Sequence, residues 1–136
     1  MRILGLDVGT KTIGVAVSDP MGWTAQGVTV IRRSSPEKDL EALKTLLAEY
    51  DVNKLVVGLP RRTDGSYGPE TDKIYQFGSE LEREFCLPVE YWDERFSTVA
   101  AQRILLEGDV SRAKRRQVVD KVAATVILQA YLDRKQ

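Results

Sequence analysis

The chain has 136 residues, 43% hydrophobic and 29% charged, the length and make-up of one globular domain, 1–136, able to bury a core without a covalent staple. A lone Cys86 excludes an internal disulfide or a cysteine-based zinc site, and the absence of histidine excludes Ser-His-Asp and Cys-His catalysis, His-ligated zinc and haem. Any chemistry must rest on carboxylates, lysines, hydroxyls or a hard metal. Net charge is zero, but residues 70–94 carry eight acidic and two basic side chains, and residues 95–121 three acidic and seven basic. A local field can therefore exist on a neutral molecule. Asp7 interrupts the apolar start before a signal-peptide core forms, and no apolar run reaches the ~18 residues of a membrane span. A cytoplasmic protein without membrane contact is expected.

The first third reads as strands. Ile3 to Val8 is apolar, Thr12 to Ser18 is rich in β-branched residues, and Gly9-Thr10-Lys11 between them is hairpin-sized. Gly27 to Arg33 makes a third strand, beginning near Trp23, so an antiparallel meander is expected. After Ser34-Ser35-Pro36, Leu40, Leu43, Leu46 and Leu47 recur at helical spacing. Lys54 to Leu59 is a short apolar run stopped by Pro60, a strand buried on both faces. Arg61 to Pro69 reads as a loop through Asp64-Gly65-Ser66 and Gly68-Pro69. Ile74, Phe77, Leu81 and Phe85 mark a second helix, and Pro88 to Trp92 a fifth strand. Ser97 or Thr98 caps a third helix carrying Val99, Ile104 and Leu105. Gly108 to Arg116 reads as a basic loop, and Val119, Val122, Val126 and Ile127 define a last helix ending near Leu132. Helices alternating with strands four and five imply parallel pairing by right-handed crossovers. The fold class is α/β: a mixed sheet, antiparallel at one edge and parallel at the other, with helices on its faces. Ligands of such sheets gather at the carboxyl ends of the parallel strands.

Asp7 lies inside the most apolar strand, between Leu6 and Val8, where a carboxylate is costly unless paired, hydrogen-bonded or on a metal. Asp93 and Glu94 end the fifth strand; alternation sends them to opposite faces, so at most one of the two shares a face with Asp7. Asp120, between Val119 and Val122, lies at or beside the helix face that docks on the sheet. Lys11 for Asp7 and Arg116 for Asp120 are the alternative, purely structural partners. Three carboxylates from separate elements, with no histidine, suit Mg²⁺ or Mn²⁺ and leave room for substrate phosphates. Paired ions of this kind hydrolyse phosphodiesters without a histidine base.

The stretches LGLDVGTKTIGVAVSD (4–19), GLPRRTDGSYGP (58–69), DERFST (93–98) and VDKVAATVILQAYL (119–132) together resemble the YqgF family. Its members are small bacterial proteins of RNase H-like fold, described as Holliday junction resolvases and as pre-16S ribosomal RNA nucleases. The resemblance spans the chain in order and implies a five-stranded sheet of order 3-2-1-4-5 with helices on both faces. It places the family's acids on Asp7, Glu94 and Asp120 as catalytic metal ligands, with Asp93 a further candidate in the same motif. It also aligns Thr10 and Lys11 with the loop after the first acid, Arg95 with the DERxST motif, and the segment 111–116 with the basic loop. Two departures stand out. Arg61-Arg62 occupy positions where relatives often carry an apolar residue and Asn. Resolvases of the RuvC type carry an acid after the fourth strand, where this chain has Gly58-Leu59-Pro60, so that acid has moved to the fifth strand.

The expected activity is a Mg²⁺- or Mn²⁺-dependent phosphodiesterase acting on ribosomal RNA precursor, alone or within ribosomal precursor particles. Thr10 and Lys11 would orient the scissile phosphate, and Arg95, Arg112, Lys114, Arg115 and Arg116 would hold flanking backbone of structured RNA or branched DNA. A junction-resolving DNA endonuclease is the alternative within the class. An actin-like ATPase or sugar kinase shares Asp-x-Gly-Thr but closes two such domains over its nucleotide. A non-catalytic nucleic-acid-binding assembly factor would use the basic cluster alone. Metal-dependent cleavage, abolished by Asp7→Asn, separates these readings.

Overall fold

A computed structural model describes residues 2–60, 68–94 and 112–135, with backbone alone over 112–120 and at 135. The described elements are β1 (Arg2–Val8), β2 (Thr12–Ser18), β3 (Ala25–Arg32), α1 (Pro36–Glu49), β4 (Val52–Leu59), α2 (Pro69–Phe85), β5 (Val89–Asp93) and α3 (Arg112–Lys135). The sheet runs β3-β2-β1-β4-β5, as the family resemblance implied. β1–β2 and β2–β3 pair antiparallel, and β1–β4 and β4–β5 parallel. Among the described residues no helix is long and apolar enough to cross a membrane.

Local chemistry sets the boundaries. β3 starts at Ala25, two residues before Gly27, because the preceding turn is closed by Asp19, whose Oδ1 accepts the N–H groups of Trp23 (2.6 Å) and Thr24 (3.0 Å). α1 begins as the sequence signals: Ser35 caps it, its Oγ accepting the Lys38 N–H at 3.3 Å, and Pro36 follows. β4 begins at Val52, two residues before Lys54, since Val52 is buried and pairs with Arg2.

Two expected loops need correction. Pro69 is the first residue of α2, with Gly68 as its cap; a proline's fixed φ and missing N–H suit that position. Arg112 to Arg116 form the first turns of α3, not a loop: Arg, Ala, Lys, Arg and Arg are good helix formers, and no Gly or Pro stands among them. The 61–67 part of the first loop, the expected helix after Thr98, and residues 108–111 lie outside the described residues.

Pleating sorts the side chains into two layers. Leu4, Leu6, Ile13, Val15, Val17, Leu55, Val57 and Leu59 face α1 and α2, where they meet Leu43, Leu47, Ile74, Phe77 and Leu81. Ala16 and Val56 face α3, meeting Ala123, Ala124, Ile127, Leu128, Tyr131 and Leu132. Gly5 belongs to the α3 side, and a Cβ built there would stand 2.8 Å from Leu128 Cβ. The helix backbone thus approaches the sheet more closely than any larger residue at position 5 would allow.

Candidate active site

β1 carries Asp7 on the same side as Gly5, toward α3, two residues nearer the carboxyl end. Its side chain is buried, 7% exposed. In β4 the neighbouring position is Gly58, one step beyond the Leu6–Val57 pair, and it too faces α3. A Cβ on Gly58 would come 2.6 Å from Ile127 Cδ1 and 3.2 Å from Glu94 Oε1. Glu94, just past β5, therefore reaches back over the end of β4, and its carboxylate occupies the room that the missing side chain leaves. Adjacent strands lie about 4.8 Å apart, so Asp7 and Glu94 come to one corner of the sheet, on one face, at the carboxyl ends of β1 and β4.

Asp93 pairs with Leu59, a residue of the α1/α2 layer, so alternation places it on the opposite face from Glu94, as expected from the sequence. Position 120 of α3 lies four residues before Ala124, whose carbonyl oxygen would stand 3.4 Å from a Cβ on Gly5, and seven before Ile127, which covers Gly58. Its backbone is thus on the row of the helix that docks over β1 and β4. The side chains of Asp120, Arg112, Lys114, Arg115 and Arg116, and the whole of Arg95, lie outside the description. Among the described residues no three acidic, Cys or His side chains form a metal-sized cluster.

Thr10 and Lys11 are exposed at the β1–β2 link, next to Asp7. The link is tight: the Gly9 N–H donates to the Thr12 carbonyl at 2.8 Å. On its α1/α2 side an open cleft of about 480 Å³ is lined by Val8, Thr10, Arg33, Pro60, Lys73 and Phe77. The start of the segment after β4 is fixed by Thr71, 1% exposed, whose hydroxyl donates to the Pro60 carbonyl at 3.3 Å.

Gly58 takes a place at the candidate site that the sequence does not show. A glycine inside the run Lys54–Leu59 signals close backbone approach, but only the fold shows that a carboxylate and a helix side chain are what approach it. The donor set suits a hard divalent cation: Asp7 and Glu94 offer only carboxylate oxygens, and without a Cβ at Gly58 the Glu94 carboxylate can lie over β4 on the Asp7 face.

The strand order and the helix packed tightly across β1 are those of an RNase H-like domain, with Asp7 buried on β1 and Glu94 lying over β4 at its carboxyl end. A family model described as "RuvX: Holliday junction resolvase" matches residues 1–134, and the chain belongs to that family, the YqgF proteins. A protein of Heliobacterium modesticaldum named "Putative pre-16S rRNA nuclease" is 62% identical over 135 residues, covering 99% of this chain and 91% of that one. A protein of Moorella thermoacetica with the same name is 62% identical over 134 residues, covering 98% and 96%. Among solved structures, T. thermophilus RuvC in complex with Holliday junction substrate superposes with a TM-score of 0.61 at 14% identity, covering 100% of this chain and 97% of that one. The fowlpox virus Holliday junction resolvase gives 0.58 at 15% identity over 100% of both chains. At these identities the structural likeness establishes the fold.

Proposed function

We propose that this nuclease hydrolyses phosphodiester bonds in the precursor of 16S ribosomal RNA, using Mg²⁺ or Mn²⁺ held by Asp7, Glu94 and Asp120. The observation that carries the reading is the filling of the Gly58 space by the Glu94 carboxylate, beside a buried Asp7 on the same face. Two carboxylates taken into one partly dry corner repel each other and favour a bound cation. Such ions, when bound, activate water and stabilise the leaving oxygen of a phosphodiester.

The protein's own groups do the rest. Asp7 is fixed by its strand, so it holds its oxygens in place without side-chain search. Glu94 enters from beyond β5 and lies over Gly58 of β4, beside Ile127. Thr10 and Lys11, exposed beside Asp7, donate to the phosphate to be cut. Arg95 and the Arg112, Lys114, Arg115 and Arg116 cluster hold flanking backbone, which positions nucleic acid without reading its sequence. The names of the relatives support a ribosomal RNA precursor, free or in precursor particles.

Branched DNA is the second reading, favoured by the description of the family model. One departure weighs against junction resolution: resolvases of the RuvC type carry an acid after the fourth strand, where this chain has Gly58-Leu59-Pro60 and Glu94 comes instead from beyond the fifth. Cleavage of precursor 16S RNA and of a four-way DNA junction, each with Mg²⁺, with Mn²⁺ and with EDTA, tests the proposal. Metal-dependent cutting of the RNA, abolished in Asp7→Asn, is expected. Cutting of the junction alone would overturn the substrate, and undiminished cutting in EDTA would overturn the mechanism.

A further inference from the structure

Arg33, the residue after β3, holds both ends of the link that carries Thr10 and Lys11. Its backbone N–H donates to the Lys11 carbonyl at 2.8 Å, and its Nη1 donates to the Gly9 carbonyl at 2.8 Å. The guanidinium is itself fixed from two further elements. Its Nε lies 3.4 Å from Asp39 Oδ2 in α1, and its Cζ stands 5.1 Å over the Phe77 ring of α2. Asp39 is only 4% exposed, and its other oxygen accepts the Ser34 N–H at 3.1 Å. It sits in the first turn of α1, where the helix dipole favours a carboxylate. A buried carboxylate on the apolar side of a sheet is costly unless it is paired and hydrogen-bonded. Here the pairing joins α1, α2 and the end of β3 to a three-residue loop beside Asp7.

We infer that Arg33 is a positioning residue for the nuclease reaction, locked by Asp39, and that its side chain acts by fixing the Gly9 carbonyl, just before Thr10. The inference rests on the reading of Thr10 and Lys11 as phosphate contacts. Without the Nη1 bond, the Gly9 carbonyl is released and the link can shift relative to Asp7. A displacement of about 1 Å in a group that orients substrate costs up to about 10²-fold in rate. Lysine cannot substitute, because a single ammonium on a flexible stem does not reproduce a planar fork that bonds Gly9 and Asp39 together while lying on Phe77.

Amide hydrogen exchange on the free protein and single-turnover cleavage with Mg²⁺ test this with Arg33→Ala and Arg33→Lys. Exchange at Leu6 and Val15 reports that each variant is folded. Both variants should raise exchange at Gly9 by about tenfold or more while leaving those core amides protected. Cleavage should slow by about 10–100-fold, as for loss of a residue that orients a contact group. In a Lys11→Ala background the same Arg33 change should cost no more than about twofold, because the two residues act through one loop. Unmoved exchange at Gly9, or losses that multiply in the double variant, would overturn the role of Arg33. A wild-type protein that cuts neither RNA nor branched DNA would instead overturn the nuclease reading on which it rests.

Discussion

The two faces of this sheet are built from different residues for different ends. Toward α1 and α2 the strands present leucine, isoleucine and valine, packed on Leu43, Ile74, Phe77 and Leu81. Toward α3 they present Val56 and the small residues Gly5, Ala16, Gly27 and Gly58, met by Lys121, Ala124, Thr125, Ile127 and Leu128. Large side chains bury more area and supply more of the driving force for folding. Small ones let a helix come close and leave room for polar groups at its end. Of the three acids proposed for the chemistry, the two whose side chains are described, Asp7 and Glu94, lie on the α3 face. One face is therefore mainly a source of stability and the other trades bulk for a site.

The sharpest way to break this contrast is to neutralise an acid on the α3 face. Asp7→Asn should lower single-turnover cleavage by at least about 10³-fold, and Glu94→Gln and Asp120→Asn should act in the same direction. The melting temperature of the metal-free protein should hold or rise, because one of several repelling charges is gone. A fall of several degrees would make these acids structural. On the other face Leu6→Ala should do the converse. It removes a fully buried side chain and should cost about 3 kcal/mol in denaturant unfolding, with little change in rate per folded molecule.

Gly58→Ala tests where the two roles meet. Its Cβ would crowd Ile127 Cδ1 and press on the Glu94 carboxylate. A loss of about 1–2 kcal/mol in stability is expected, together with weaker cleavage; normal cleavage would show that Glu94 need not sit over β4. At the start of α3, replacing two of Arg112, Lys114, Arg115 and Arg116 by Ala should shrink the salt dependence of binding by roughly 0.7–0.9 per lost phosphate contact. Cleavage at saturating protein should change little. An unchanged slope would move the nucleic acid elsewhere, toward Arg61 and Arg62.

The smallest effect concerns the joint between β4 and β5. Lys54 Nζ lies 2.6 Å from Glu90 Oε1 and 5.2 Å over the Tyr131 ring. Burial works against its charge, but the bonds to Glu90 and Tyr131 outweigh it and hold the ammonium pKa above the usual lysine value. A raised folded pKa means stabilisation that is full below the unfolded value, near 10.5, and is lost as pH rises through the higher folded one. Glu90→Gln should therefore cost up to about 1 kcal/mol at neutral pH, the pair being partly solvated. The difference from wild type should fade only in strong alkali, as followed by denaturant unfolding against pH.

Much of this was legible in the chain, for reasons that differ by residue. Asp7 announced itself because a charge inside LGLDV has few cheap explanations. Alternation alone separated Glu94 from Asp93 by face. The five strands followed from apolar runs bounded by Gly, Pro and Asp, whereas the sheet order came from family resemblance, since periodicity does not say which strands are neighbours. The start of α3 reads as a loop from sequence because a dense basic run resembles a solvated segment, although its residues favour helix. Arg33 and Asp39 carried no signal at all: at the end of one strand and in the first turn of a helix, each looks like an ordinary surface charge. Only the fold shows Arg33 bonded to Gly9 and Asp39 while lying on Phe77.

The central claim is that Glu94, reaching over Gly58, shares a cation with Asp7 while Asp93 faces away. Calorimetric titration of Mn²⁺ into wild type, Glu94→Gln and Asp93→Asn tests it most directly. Glu94→Gln should weaken binding by about tenfold or more, with Asp93→Asn close to wild type. Loss of binding in Asp93→Asn, with Glu94→Gln unaffected, would contradict the assignment and place the cation on the other side of the sheet.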